Sequence, residues 1–407
     1  MIPPMSPSPE PIVIVGGGLV GASLAIALDA AGLPAVLIEA AAPTVGQQPS
    51  YDERNLALAR ATVNGLRAIG VWDFAEDRAT PITHIHTSRA GDFGSVRMNA
   101  SEEGVDVLGW TLPARELGAA LLRRLDRCQH LTRLAPARVE GIHADDRGWT
   151  VDVVTDAGMR SLHTSLLVGA DGTHSGVRRQ LGIGTREHDY AQALFVTTMT
   201  PERDPRGRAF ERFTNDGPVA VLPLTDRRVG VVLTVAADRV DEVAAMDDQA
   251  FAALAQERFG WRLGRLTRPG KRSPYPIRRV AAEALTSNRA VLVGNAAQTV
   301  HPIGAQGFNL GLRDALTLAE LAMGATDPGA PSLLAEYAAR RATDREGTMA
   351  MSHGLVRLAC LDQPFLGPLR SLAMLALDRV PPLRHALSRR GMGFRANAPF
   401  AVREKTP

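Results

Sequence analysis

Three glycine-rich stretches hold the residues of this 407-residue sequence best suited to chemistry. The first, Gly16-x-Gly18-x-x-Gly21, lies between a β-branched run and an apolar helical stretch, with Glu39 at the tip of the next apolar run. Gly16 allows a tight turn, Gly18 lets a pyrophosphate approach the backbone, and Gly21 lets helix and strand pack closely. The helix N-terminus then faces the phosphates and Glu39 accepts ribose hydroxyls, which favours FAD or NAD over a 2′-phosphorylated nucleotide. A glycine triplet alone is weak evidence; strand, helix and acid in this order make it strong. The second stretch, Gly169-Ala-Asp171-Gly172-Thr-His-Ser175-Gly-Val-Arg178, ends a strand with an acid and a basic residue near the same cleft. The third runs Gly294-Asn295-Ala-Ala-Gln-Thr-Val-His301-Pro302-Ile-Gly304-Ala-Gln306-Gly307-Phe-Asn309-Leu-Gly311, ending another strand and opening a helix.

Other chemistries find little support. Cys128 and Cys360 are single and far apart, so there is no Cys-x-x-Cys pair, cysteine zinc site or disulfide framework, which fits a reducing cytoplasm. His84 and His86 form a His-x-His without acidic or histidine partners, and no metal is expected. The 46 basic and 43 acidic residues leave a net charge of +3, which gives no reason to expect nucleic acid. Met1 to Glu10 is proline-rich and carries no positive side chain, unlike a secretory signal. The most apolar stretch, Ile12 to Leu28, is glycine-broken and shorter than the ~20 residues of a spanning helix. The expectation is a cytoplasmic protein, soluble or peripheral to the inner face of the membrane.

The elements that position these residues follow from periodicity. Pro11 to Val15 reads as a strand, Ala22 to Ala31 as a helix ending at Gly32, and Ala35 to Glu39 as a second strand, a βαβ unit. Arg115 to Arg127 reads as a helix; Arg138 to Ile142 and Trp149 to Thr155 alternate as strands. Leu166 to Asp171 and Ala290 to Gly294 are buried strands, and a helix is expected from near Gly307 to Met323. Between Ala193 and Val235, short runs broken by Pro, Gly and Asp predict an antiparallel sheet rather than further βαβ units.

The Asp171 and Gly294 segments together resemble the class A flavoprotein aromatic hydroxylases. Asp52-Glu-Arg54-x-x-Ala57-Leu58, Gly94-Ser-Val-x-Met-x-Ala-x-Glu102-Glu103-Gly104-Val105 and the stretch from Gly294 to Asp314 are similar to the ubiquinone-biosynthesis branch, and most to its 2-polyprenyl-6-methoxyphenol hydroxylases. The resemblance runs from about Ile12 to Gly393. Asn295 stands where the wider class has Asp, and Gly304-Ala305 reverses the usual Ala-Gly order.

The resemblance implies an α/β fold: a Rossmann-like FAD-binding domain over 10–75, 105–185 and 276–330. An inserted antiparallel-sheet substrate domain would cover 76–104 and 186–275, with a C-terminal helical region at 331–400. It implies that NAD(P)H reduces FAD, that O2 adds at the flavin C4a carbon, and that the resulting hydroperoxide attacks the ring of a polyprenyl phenol. Gly304 and Gly307, with Gln306 and Asn309, would lie beside the flavin. Arg54 would pair with FAD phosphates, Asp171 and Gly172 would hold the ribityl or pyrophosphate region, and Asn295 would bond a hydroxyl. Arg178 would help receive NAD(P)H. His301, next to Pro302, either assists phenol deprotonation or packs. Leu355 to Leu383, followed by Arg384, Arg389, Arg390 and Arg395, would contact a membrane or a ubiquinone-biosynthesis protein complex. Alternative readings are a sister ring hydroxylase, a small-aromatic-acid hydroxylase with a buried arginine in its pocket, and a non-catalytic flavin-binding subunit.

Overall fold

Short β-branched runs covered on both faces build the first sheet. In the computed structural model, which describes residues 10–42, 44, 48–360, 366–395 and 398–403, this sheet is parallel but for one edge. Its order is Thr286–Ser287, Ala290–Leu292, Leu167–Gly169, Ile12–Val15, Ala35–Ile38, Leu131–Leu134, with Thr286–Ser287 the antiparallel edge. Helices α1 (Leu19–Ala30), α2 (Arg60–Ala68) and α3 (Ala114–Leu125) come from the first third of the chain, and α4 (Gly176–Gln180) follows strand Leu167–Gly169. A meander of Ala137–Ala144, Trp149–Thr155 and Gly158–Thr164 adds Ile142, Trp149, Val151 and Val153 to the same core.

The second large sheet is mostly antiparallel. Its order is Gln298–Thr299, Ser273–Ala282, Thr185–Pro201, Val229–Ala236, Gly217–Pro223, Arg208–Thr214, His84–Arg89, Ser95–Asn99, with Arg208–Thr214 and His84–Arg89 parallel. One face packs on α5 (Val240–Ala245) and α6 (Asp248–Phe259) through Phe195, Phe210, Val231, Leu233, Phe251 and Phe259. Strand Ser273–Ala282 runs through the boundary expected at 275/276, because Pro274 and Pro276 mask its alternation. Gln298–Thr299, inside the third glycine-rich stretch, pairs onto that strand and so stitches the two sheets together.

Four helices complete the described chain: α7 (Gln306–Ala322), α8 (Pro331–Cys360), α9 (Leu366–Arg379) and α10 (Pro381–Gly391). Helix α7 starts one residue before the expected position and lies against α1. Close packing around α1 needs a missing side chain at two places. A Cβ on Gly21 would stand 1.9 Å from the Gly16 carbonyl oxygen, and one on Gly311 would stand 2.6 Å from Val20 Cγ2 and 3.1 Å from Gly294 Cα. The second crowding joins α1, α7 and the turn at Gly294. Gly311→Ala is therefore expected to cost about 1–3 kcal/mol of stability through overpacking, and to lower the flavin absorbance per mole of purified protein. Denaturant titration and the visible spectrum check both.

Candidate active site

One end of the site is built on the first βαβ unit. Gly16 takes φ +106°, and a Cβ there would lie 2.5 Å from Ala170 O, so the turn is closed against the second strand of the cleft. Gly18 is the N-cap of α1. Glu39 accepts the Gly17 N–H at 2.6 Å and the Ala41 N–H at 2.7 Å, fixing its carboxylate at the rim. Beside it a pocket is lined by Gly17, Leu37, Tyr51, Leu122, Arg133 and Ala135. Tyr51 is buried, donates to Gly17 O at 3.1 Å, and burial with the Glu39 charge pushes its phenol well above the ordinary range. An apolar slot ending in a fixed carboxylate beside a helix N-terminus suits an adenosine and its pyrophosphate.

The middle of the site is a pair of turns. Asp171 does not hang free: it accepts from Ser175 Oγ, from Gly176 N at 2.7 Å and from Val177 N at 3.0 Å, capping α4. Arg178 departs from its expected role. It is buried and donates to Ala296 O at 2.8 Å and Thr173 O at 2.9 Å, so it clamps the two turns to each other and offers no charge to a nicotinamide nucleotide. Asn295 is exposed in the turn Gly294–Ala296, and a Cβ on Gly172 would meet nothing within 4 Å. Arg54 gives its Nε to Asp52 at 2.7 Å and lies 5.4 Å over the Tyr275 ring, linking the loop before strand Asn55–Ala59 to the second sheet.

The turn before α7 forms the far end. Pro302 and Gly304 are exposed, and the space over Gly307 is open. Gly304 and Ala305 both take left-handed backbone, φ +64° and +49°. Gln306 Nε2 donates to Gly304 O at 2.9 Å. Two expected contact residues are turned inward instead. Asn309 spends its whole amide on protein, accepting from Ala59 N and Thr62 Oγ1 and donating to Ala57 O and Ala305 O. His301 is buried, its Nδ1 accepts the Ile303 N–H at 3.2 Å, and its ring meets Tyr190 edge-on at 4.8 Å. An exposed backbone turn with open Cβ positions at Gly304 and Gly307, facing a helix N-terminus, can hold a planar, partly anionic ring system such as a flavin.

Behind the turns lies a charged cluster that sequence reasoning did not assign. Asp314 Oδ2 accepts from Gly294 N at 3.1 Å and Gln298 Nε2 at 2.7 Å, while Oδ1 takes Arg341 Nε at 2.7 Å. Asp344 meets Arg313 at 2.6 Å, Arg341 at 2.9 Å and Arg395 at 3.2 Å. Burial would raise the Asp344 carboxyl, but the Arg313, Arg341 and Arg395 charges outweigh it and hold the carboxyl well below the ordinary range. Arg395, expected at a membrane surface, is thus committed to the interior. The signal available was Asp314 at the end of the third stretch, but its partner on α8 is remote in sequence.

Opposite the turn stands the second sheet. Phe213 packs with Ile303 and Tyr190, and Ala209 with Ile82, Leu222 and Ala57, so odd-numbered residues of strand Arg208–Thr214 face the cleft. Between them is Glu211, also missed by sequence reasoning; burial pushes its carboxyl from 4.5 up to about 8. Helix α8 packs on this strand, on Gly217–Pro223 and on the turn Ile303–Ala305, closing the space from above.

A dinucleotide groove that ends on a backbone turn facing an antiparallel sheet is the arrangement of the FAD-dependent aromatic hydroxylases. The fold matches p-nitrophenol 4-monooxygenase PnpA from Pseudomonas putida with a TM-score of 0.78 and 20% identity, over 95% of this chain and 99% of that one. OxyS anhydrotetracycline hydroxylase from Streptomyces rimosus gives 0.72 and 24%, over 95% and 76%. Residues 10–352 match the FAD binding domain family, to which this chain belongs. Among curated relatives it is 38% identical to ubiquinone hydroxylase UbiL of Rhodospirillum rubrum, over 94% of this chain and 89% of that protein. It is 30% identical to the 3-demethoxyubiquinol 3-hydroxylase of Escherichia coli, over 96% and 100%. The protein is an FAD-dependent monooxygenase of the ubiquinone hydroxylase branch, as the glycine-rich segments implied.

The cluster behind the turn gives a direct test. Asp314→Asn leaves the Arg341 guanidinium buried with one carboxylate fewer, which costs about 3–5 kcal/mol. Urea denaturation reads that loss, and the released Gly294 turn is expected to weaken flavin retention on gel filtration.

Proposed function

We propose that this enzyme hydroxylates the aromatic ring of 2-polyprenyl-6-methoxyphenol with NAD(P)H and O2, as a step of ubiquinone biosynthesis. The observation that carries the reading is the cleft-facing side of the second sheet: it presents Leu194, Val196, Ile277 and Val232 as a continuous apolar stretch, while a buried arginine on that face, Arg89, stands apart beside Phe213 and bonds Asn215 and Ala90 O. An uncharged phenol with an alkyl tail fits that apolar stretch. The ubiquinone hydroxylase names of the relatives support the same substrate class.

When bound, FAD supplies dioxygen activation and delivery of one oxygen atom to the electron-rich ring. The chain's own part is placement. Glu39 and the α1 N-terminus hold the nucleotide end, while Arg54, Asp171, Gly172 and Asn295 line its path. Pro302, Gly304 and Gly307 shape the seat of the flavin ring, and the N–H groups opening α7 put positive potential beside it. His301 fixes the turn from below through Ile303 N. Helix α8 keeps water from the space between turn and sheet. In a strain lacking the gene, mass analysis is expected to show accumulated polyprenyl-methoxyphenol and a depleted quinone pool; an unchanged pool would sink the assignment.

The tail asks for access from a lipid phase, and α9 offers a surface for it. This helix turns its polar side inward: Arg370 pairs with Asp92 at 3.0 Å, Asp378 with Arg97 at 2.7 Å, and a Cβ on Gly94 would stand 2.3 Å from Ser371 O. Its outer side carries Leu369, 64% exposed, and Leu372, 56% exposed, with Leu375, Val380 and Leu383 following. Exposed leucines in such a row, beside the exposed Arg379, suit an anionic lipid surface. No helix among the described residues is long and apolar enough to cross a membrane. The double substitution Leu369→Ser, Leu372→Ser is expected to cut co-sedimentation with anionic vesicles several-fold while leaving flavin content unchanged.

A further inference from the structure

Glu211 is an acid on that same side of the second sheet, and the reading above gives it no role. Its placement says more. Strand Arg208–Thr214 directs Phe210 toward Phe259 of α6, and Arg212 on that same side approaches Gly260. Ala209 and Phe213, on the other side, reach Ala57 and Ile303 of the flavin-binding half. Glu211 lies between those two and points into the cleft. Directly across the sheet from it, the lateral row reads Thr87, Glu211, Ala220, Val232 and Val196, each in register with the next. A hydroxyl and a carboxyl therefore occupy one end of the row, and purely apolar side chains the other.

The carboxyl has no hydrogen-bond or ion-pair partner among the described residues, and desolvation alone accounts for its shift. Asp314, Asp344 and Asp378, buried acids elsewhere in the chain, are each met by arginine. Glu211 is half-buried on the cleft wall; desolvating an acid without a partner costs stability, and a carboxyl so placed can take its missing partner from a ligand in the cleft. The nearby cations do not fill the place. Arg89 bonds Asn215 at 2.6 Å and Ala90 O at 3.0 Å, and Arg212 faces the α6 side.

We propose that Glu211 binds the ring hydroxyl of the substrate, its carboxyl exchanging a hydrogen bond with the phenolic O–H while the tail-bearing side of the ring lies along Ala220, Val232 and Val196. This inference rests on the ring-hydroxylase reading and assigns the residue that orients the ring. At neutral pH the carboxyl is mostly the neutral acid, able both to donate to the phenol oxygen and to accept its hydrogen. Thr87 offers a second hydroxyl at the same end. The contact favours a phenol over its ether and turns a fixed ring carbon toward the flavin seat.

The test uses the FAD-loaded full chain as wild type, Glu211→Gln and Glu211→Leu. Each is titrated with 2-methoxy-6-prenylphenol and with its O-methyl ether, followed by the shift of the flavin absorption band. Wild type is expected to bind the phenol about 10-fold more tightly than the ether, the worth of one net hydrogen bond. Glu211→Leu is expected to lose that preference with ether binding unchanged, and Glu211→Gln to keep part of it. Both variants are expected to melt no lower than wild type, since a partly desolvated acid without a partner has gone; a merely structural glutamate would give the opposite shift. A Leu variant that keeps the full preference for the phenol overturns the assignment of Glu211 alone. Wild type that neither binds nor hydroxylates the phenol overturns the ring-hydroxylase substrate itself.

Discussion

Helix α7 is held from four directions within two turns, and the rest of the site takes its position from that grip. Asn309 ties it to strand Asn55–Ala59 and the start of α2. Gly311 lets it touch α1. Arg313 and Asp314 lock it to α8 through Asp344 and Arg341. Buried ion pairs add little net stability over a well-packed apolar core, but they tolerate no displacement of either partner. Their effect here is to fix the axial position of α7, and with it the turn that precedes its first residue. The Asp314 carboxylate extends the same lock to Gly294, so both turns around the flavin seat are referred to one helix.

What the sequence revealed follows the range of the interactions concerned. The Gly16 turn, α1 and the parallel strands rest on local patterns, and they stand within a few residues of expectation. Asn309 lay in a legible motif, but the direction of its amide is set by Ala59, 250 positions away in the chain. Arg178 looked like a cleft-edge charge because Asp171 and Ser175 precede it; only the position of Ala296 shows that it faces inward. Glu211 was illegible for another reason. Strand Arg208–Thr214 carries a charge on each face, Glu211 on one and Arg212 on the other, so alternation alone names no cleft side. The packing of Ala209 against Ala57 and of Phe213 against Ile303 decides it.

The C-terminal helices show what composition leaves open about orientation. Leucines followed by arginines suggested contact with a membrane or a partner, but not which side each helix turns to the protein. Helix α9 uses Arg370, Ser371 and Asp378 to cover the edge strand Ser95–Asn99, and Glu102 and Glu103 engage Arg384 and His385 of α10. An exposed strand edge invites pairing with other chains, and covering it by a polar helix side removes that hazard. The apolar side is thereby left to whatever lies outside the protein.

Ala305 has one last implication. A residue with a side chain adopts left-handed backbone only at a cost of about 1–2 kcal/mol, and here it follows Gly304 in the same conformation. Both carbonyls are tethered by α7 itself, that of Gly304 by Gln306 and that of Ala305 by Asn309. The contour of that turn is therefore written by two amide side chains of the helix it precedes, so a change at Gln306 or Asn309 would reshape the flavin seat without altering any atom that lines it.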